Sequence, residues 1–150
     1  MIITFVGHRT IGEINLLKEK IRSVILKEIT KQEKITFYCG GYGGFDITCA
    51  NVCREIKTKV KEAEIVLVTP YLKQEYLKNI NEQNLYDSIV YPPIENVPFR
   101  LAIIKRNEWM VEKASLIIAY VEHSYGGAYK TLEFAKRKNK RIINLATQKL

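Results

Sequence analysis

Three stretches of the sequence, each directly after an apolar run, carry the residue types that hold a phosphate group. They read GHRT from Gly7, CGGYGGFD from Cys39 and EHSYGGAYKTLE from Glu122. Glycine permits positive φ angles and a close approach of the backbone, and a helix behind it offers free amides and the positive end of its dipole to an anion. The stretches predict a phosphate site built from three loops, although the glycines from Gly40 to Gly44 could instead serve only a tight turn.

The candidate ligand-binding residues lie in these loops or on the helix in front of the fifth strand. A nucleotide is the expected ligand, and neither glycine stretch has the spacing of a dinucleotide fingerprint or a Walker loop. No cofactor and no metal site are predicted. The ligand-binding candidates are Gly7, His8, Arg9, Gly40, Gly41, Gly43, Gly44, Asp46, Arg106, Gly126, Gly127 and Lys130.

Several of these candidates have an alternative role. Asp46 would contact a ribose hydroxyl or cap its own helix, and His8 would act as an acid or base, contact the ligand, or cap a turn. Lys130 opposes the helix dipole unless an anion sits there, or it points into solvent. Tyr125 would stack on a base or pack against its helix neighbours.

A carboxylate and a guanidinium could together hydrolyse a nucleotide N-glycosidic bond. Positive charge develops on the ribose in that reaction, so Glu133 would stabilise it or position water, and Arg106 would grip the phosphate or the ribose hydroxyls. In the alternative, Glu133 complements the helix dipole and Arg106 pairs on the surface with Glu108 or Glu112.

Apolar runs and helical patterns alternate along the chain, which is typical of an α/β protein. We expect one domain over 1–150, a Rossmann-like three-layer sandwich with a mainly parallel sheet of about six strands. Ligands bind such sheets at the carboxyl edge of the strands. The predicted strands span 2–6, 35–38, 64–70, 88–91, 115–121 and 141–146. The predicted helices run from a Thr10–Glu13 capping box to about Lys31, and over 46–59, 73–80, 99–113 and 127–138.

The net charge of +8 is concentrated towards the carboxyl end of the chain. The cluster would bind nucleic acid, attract small anions, or form a solvated basic face. No run approaches the roughly 20 apolar residues that cross a bilayer, and a cytoplasmic protein with buried, reduced cysteines is expected. Against the single acid Glu133, residues 130–150 hold Lys130, Lys136, Arg137, Lys138, Lys140, Arg141 and Lys149.

Four motifs in order resemble the SLOG superfamily, which joins the Lonely Guy nucleotide phosphoribohydrolases, the DprA-type DNA-processing proteins and the YpsA-like proteins. The G-H-R turn and the R-N-x-x-M-V motif are most similar to the YpsA-like branch. The motifs read TFVGHR at 4–9, YCGGYGGFDITCA at 38–50, RNEWMVEKASLIIAYV at 106–121 and YGGAYKTLEFA at 125–135.

The resemblance implies a nucleotide-binding fold and a homodimer, and it places a catalytic pair. In the hydrolases an R-K-x-x-M arginine and a later glutamate are catalytic, and Arg106 with Met110 and Glu133 match them in spacing. Tyr129 and Lys130 replace the Gly-Thr of that family. A nucleotide-sensing or nucleotide-sequestering module is therefore the leading hypothesis, with phosphoribohydrolase activity second and DprA-like DNA binding third.

Overall fold

Strands and helices alternate from the first residues to the last described element. The structure is a computed structural model that describes residues 1–29 and 34–147. A 3₁₀ turn, Phe99–Leu101, leads into the fourth helix. The elements are β1 Ile2–Gly7, α1 Ile14–Glu28, β2 Thr36–Cys39, α2 Gly44–Lys57, β3 Glu64–Val68, α3 Gln74–Gln83, β4 Ser88–Val90, α4 Ala102–Lys113, β5 Leu116–Tyr120, α5 Gly126–Arg137 and β6 Arg141–Asn144.

The six strands form one sheet in the order β4-β3-β2-β1-β5-β6, and every neighbouring pair is parallel. Ile3 of β1 pairs with Phe37 on one side and with Leu116 on the other. The chain leaves β1 in one direction and returns to its other side at β5, so the strand order reverses there. The predicted α/β fold with a parallel six-stranded sheet is confirmed.

Side chains of β1 alternate between two apolar layers. Ile3 and Phe5 pack in the core beneath α1 and α2, whereas Val6 packs with Val111 and Leu132 under α4 and α5. This alternation follows from the two-residue period of a strand whose faces are both covered by helices. The carboxyl ends of β1 and β5 therefore open between two helical layers.

The predicted capping box at the start of α1 is wrong. Helix α1 begins at Ile14, and its N-cap is Glu13 at φ 49°, with no side-chain capping bond. The preceding loop is tied to α2, because the carbonyl of Arg9 accepts the Gly44 amide at 2.7 Å and that of His8 accepts the Phe45 amide at 3.3 Å. Helix α1 begins only after this loop, so Thr10 lies outside the helix.

Other boundaries differ from prediction by a few residues. The third strand ends at Val68 and not at residue 70, since the Thr69 hydroxyl donates to the Tyr71 carbonyl at 2.9 Å and starts a turn. Helix α3 continues to Gln83, beyond the predicted residue 80. The predicted end of α1 near Lys31 lies outside the described residues. No helix in 1–29 or 34–147 has the length and apolar character needed to cross a membrane.

Candidate functional site

A cavity of about 260 Å³ opens at the carboxyl edge of β1, next to β5. The loop after β1, the first loop glycine after β2, one face of α4 and the start of α5 form its wall. The sequence places the ligand at this edge, and the cavity brings most of the predicted residues together. Those lining it are Gly7, His8, Arg9, Gly40, Asp46, Arg106, Gly126 and Gly127.

The glycine loop after β2 is packed tightly by the chain itself. A Cβ on Gly43 would lie 3.1 Å from the Arg9 Cα, and one on Gly44 would lie 2.7 Å from the Arg9 carbonyl oxygen. Gly41 and Gly43 adopt φ angles of 78° and 87°, which glycine tolerates best. These contacts favour the tight-turn interpretation, and Gly41, Gly43 and Gly44 do not line the cavity.

Asp46 occupies the amides that the glycine loop would otherwise offer to a ligand. Its carboxylate accepts the Gly40 amide at 3.0 Å and the Gly41 amide at 2.6 Å. Burial raises the pKa of Asp46, while these two amides and the nearby guanidinium of Arg106 act in the opposite direction. Asp46 thus fastens the loop in front of its own helix, and the predicted capping role is wrong, because the N-cap is Gly43 and no side chain makes a capping bond there.

Arg106 is 3% exposed and is anchored to the backbone of two strand ends. Its Nη1 donates to the carbonyls of Gly40 at 2.9 Å and Val68 at 2.7 Å, and its Nε donates to Asn107 Oδ1 at 2.8 Å. The predicted surface pairing of Arg106 is wrong, because the side chain points inward from α4. Its two expected acidic partners pair elsewhere, Glu108 with Lys105 and Glu112 with Lys138.

One nitrogen of Arg106 keeps its donors free. Nη2 has no hydrogen-bond partner among the described residues. Every fully enclosed side-chain nitrogen or oxygen in 1–29 and 34–147 has a partner, so Nη2 must reach open space, which Arg106 meets in the cavity. Burial lowers the pKa of Arg106 and the Asp46 carboxylate raises it. A guanidinium stays charged well above neutral pH, so the cavity is lined by a charged residue with one nitrogen that has no partner among the described residues.

The start of α5 differs from the glycine loop because it leaves open space. A Cβ on Gly126 or Gly127 would meet nothing within 4 Å, although Gly126 has a φ of 90°. The N-cap is Tyr125, whose side chain makes no capping bond. The first amides of a helix have no intrahelical acceptor and carry the positive end of the dipole. The start of α5 therefore combines free amides with open space, which are the properties that an anion site needs.

Lys130 and Glu133 lie outside this cavity. They line a second hollow of about 530 Å³ between α4 and α5, and Glu133 pairs with Lys136 at 3.1 Å. The structure does not bring Glu133 and Arg106 into one cavity. Among the described residues that line the first cavity, Asp46 is the one carboxylate.

His8 connects the loops after β1 and β5. Its Nε2 accepts the Glu122 amide at 2.8 Å, which assigns the neutral ring proton to Nδ1. Burial lowers the pKa of His8, the neighbouring His123 lowers it further, and Glu122 raises it. The imidazole that faces the cavity is therefore neutral at pH 7.

Three further cavity residues have no clear signal in the sequence. Tyr42 stands between the glycines, Asn107 follows Arg106, and Thr131 lies one helical turn after Gly127. The Thr131 hydroxyl donates to the Gly127 carbonyl at 3.0 Å. Their positions beside predicted residues were the available signal, but only the packing of α4 against α5 puts Asn107 and Thr131 on the same wall.

Most of the basic carboxyl-terminal cluster is engaged by acids or carbonyls. Arg141 pairs with Glu28 at 2.5 Å, and Lys138 lies 3.7 Å from Glu112. Lys140 donates to the Glu112 carbonyl at 2.7 Å and to that of Ala114 at 3.1 Å. These contacts favour a solvated face on which part of the basic charge is paired with acids. The predicted contribution of Lys149 lies outside the described residues.

The three cysteines are buried and unpaired, which confirms the prediction of buried thiols. Cys39, Cys49 and Cys53 lie in the core beneath α1 and α2. Burial raises the pKa of the Cys49 and Cys53 thiols, and a hydrogen bond with the Cys53 thiol together with burial raises the pKa of Cys39. In the described part of the chain, no three side chains are grouped as a metal site would require.

The parallel sheet and its strand order define a fold class, the Rossmann-like α/β fold that DNA processing protein A (DprA) also adopts. DprA from Streptococcus pneumoniae superposes with a TM-score of 0.64 at 13% identity, over 93% of this chain and 48% of DprA. The Helicobacter pylori protein, described for its single-stranded DNA binding mode, gives 0.62 at 13% identity, over 100% and 66%. This chain thus spans about half of the first and two thirds of the second.

One curated relative is detected by sequence. It is the uncharacterized SPbeta prophage-derived protein YoqJ of Bacillus subtilis strain 168, 26% identical over 140 residues and 81% of each chain. No protein-family model matches the chain. The Rossmann-like fold expected from the SLOG resemblance is shown by the similarity to the DprA structures.

Proposed function

We propose that the protein is a ligand-binding module that holds the phosphate and ribose of a nucleotide, or of a nucleotide-derived molecule, in the 260 Å³ cavity. The observation that carries the proposal is that a charged side chain and the positive end of a helix dipole line the same cavity. Arg106, whose Nη2 has no partner among the described residues, and the uncapped start of α5 line the same space.

The two features suit a phosphate ester in complementary ways. The amides at Gly126 and Gly127 offer aligned donors and a partial positive charge, and open space lets an oxygen approach them. Arg106 adds a full charge whose direction is fixed by three hydrogen bonds. A charged donor that is already oriented loses little conformational entropy when it binds.

The size of the cavity limits the ligand. Pockets for drug-sized molecules start at about 300 Å³, so a volume of about 260 Å³ suits one mononucleotide unit and not a dinucleotide. The positive potential of the protein, with a net charge of +8, attracts such anions from solution.

Binding is favoured over hydrolysis by the positions of the carboxylates. A phosphoribohydrolase needs a carboxylate beside the ribose, yet Glu133 lies in the other hollow and pairs with Lys136. Asp46 faces the cavity but is committed to the amides of Gly40 and Gly41. We infer that the module senses or sequesters its ligand.

DNA binding is the second candidate, and its support is the shared fold of the Helicobacter pylori protein with its stated single-stranded DNA binding mode. The partial pairing of the basic cluster with acids speaks against a strand-binding face in this chain. A gel shift with single-stranded DNA at low salt and at high salt tests it. Electrostatic DNA binding would give a shift at low salt that disappears at high salt, and we expect no such shift.

The SLOG resemblance also supports two finer assignments, which we propose here. The G-H-R turn supports an assignment to the YpsA-like branch, and His8 of that turn ties two loops of the site together. The same resemblance implies a homodimer. Sedimentation equilibrium tests that assignment, with twice the mass of one chain as the expected result and a monomer at all concentrations as the contrary one.

The test of the proposed function is calorimetric titration with a panel of nucleoside 5′-monophosphates. Gly127→Asp places a carboxylate at the positive end of α5, where it stabilises the helix but repels an anion. We expect micromolar to millimolar binding by the native protein, at least tenfold weaker binding by Gly127→Asp, and near-native binding by the neutral control Gly127→Asn. Equal affinity of the Asp and Asn variants would remove α5 from the site.

A further inference from the structure

Three aromatic rings form a continuous column at the mouth of the cavity. The ring centroids of His8 and His123 are 4.3 Å apart with an interplanar angle of 26°, and those of His123 and Tyr125 are 4.9 Å apart at 10°. These separations and near-parallel planes are those of stacked rings. The column joins residues from the loop after β1 and the loop after β5.

The inner end of the column is fixed. Besides accepting the Glu122 amide, His8 packs edge-on against Tyr120, with centroids 6.3 Å apart and planes at 84°. Because the innermost ring is held on its edge and on its face, the ring stacked on it has a defined orientation. The column is therefore positioned before any ligand arrives.

The outer end of the column is open. Tyr125 is 71% exposed, so the predicted alternative in which it packs against helix neighbours is not what the structure shows. Tyr125 also lines the cavity and is the N-cap residue directly before Gly126. An aromatic ring thus stands beside the helix amides that would hold a phosphate.

We propose that the column of His8, His123 and Tyr125 is the base-recognition platform of the site, with the base of the nucleotide stacked on Tyr125. The inference rests on the proposed function, since it needs the phosphate near α5. Stacking on an aromatic ring tolerates any base, and a larger ring system overlaps more. The ligand class is therefore a nucleoside monophosphate, with purines bound more tightly than pyrimidines.

The test separates the base from the rest of the ligand. Adenosine 5′-monophosphate and ribose 5-phosphate share the phosphate and ribose, so their affinity ratio isolates the base. We expect the nucleotide to bind about tenfold more tightly, which corresponds to 1.4 kcal/mol. Tyr125→Leu is expected to bring the ratio close to one, and Tyr125→Phe to preserve it.

The controls distinguish this inference from the proposed function. Because Tyr125 is exposed, its variants should melt like the native protein, and His123→Leu supplies a second disruption of the column. Binding of both ligands with equal affinity, or a ratio that survives Tyr125→Leu, would overturn the platform and leave the phosphate site standing. Absence of binding by both ligands would overturn the proposed function and the platform with it.

Discussion

Asp46 and Arg106 hold the two backbone polar groups of one residue, Gly40. The carboxylate accepts the Gly40 amide at 3.0 Å, and the guanidinium donates to the Gly40 carbonyl at 2.9 Å. A Cβ on Gly40 would lie 3.2 Å from the Arg106 Cζ, so the absence of a side chain permits this approach. One glycine therefore links α2, the end of β2 and α4, and it fixes the direction of the charged group that faces the cavity.

Removal of the Asp46 carboxylate should cost stability. Asp46→Ala leaves the amides of Gly40 and Gly41 without their acceptor, and we expect a loss of about 2 kcal/mol in the free energy of unfolding. Urea denaturation measures the loss, with Glu75→Ala on the exposed face of α3 as the control. A change below about 0.5 kcal/mol, the usual range of a surface substitution, would show that the carboxylate does not hold the loop.

A methyl group on Gly7 should disturb the junction of β1 and α2. The added Cβ would lie 2.2 Å from Cδ2 of Phe45, a ring that is fully buried. Overpacking of this kind costs about 1–3 kcal/mol, and Gly7→Ala should lower the melting temperature accordingly. Gly12→Ala is the matched control, since its Cβ meets nothing within 4 Å. Equal melting temperatures for the two variants would contradict the packing described.

The free energy of unfolding should fall as the pH drops below the pKa of an ordinary histidine. Burial and His123 lower the pKa of His8 from 6.5, against the attraction of Glu122. The unfolded chain then takes up the proton more readily than the folded protein, so the stabilising contribution is complete above pH 6.5 and is lost towards the folded pKa. Tyr120 packs against the same ring.

The pH dependence is measured by urea denaturation at pH 7.5 and pH 5.5. The native protein should lose more stability over this interval than His8→Asn, which keeps a polar side chain but cannot be protonated. A proton NMR titration should give a His8 pKa below 6.5. A His8 pKa above 6.5, or an identical loss in both proteins, would be the contrary outcome.

Substitution of Arg106 should weaken nucleotide binding, whereas substitution of Glu133 should not. Arg106→Lys retains a charge but has only three donors, so it cannot hold the two carbonyls and Asn107 and still present a free donor, and nucleotide affinity should fall more than tenfold. Glu133→Gln loses one exposed pair with Lys136 and should change stability by less than 1 kcal/mol, with binding unaffected. Calorimetric titration tests both variants. Base release that depends on Glu133 would instead support hydrolysis.

The fold could be predicted from the sequence because each buried strand is a short apolar run and each helix carries its own periodicity. The role of the glycine loop could not be predicted from the sequence. Its amides are bound by the Asp46 carboxylate and the Arg9 carbonyl, and these groups reach the loop only through tertiary contacts. Arg106 was predicted as a site residue from the motif that resembles the SLOG superfamily. Its burial depends on which face α4 turns to the sheet, and that is fixed by packing across the whole layer.

The most direct measurement is a titration of the isotopically labelled protein with adenosine 5′-monophosphate, followed by amide and arginine side-chain NMR. We predict saturable shifts at the amides of Gly126 and Gly127 and at the Nη groups of Arg106, the groups that face the cavity. Shifts confined to the basic carboxyl-terminal cluster or to α3, or no shifts at millimolar nucleotide, would contradict a nucleotide site at the carboxyl edge of β1 and β5.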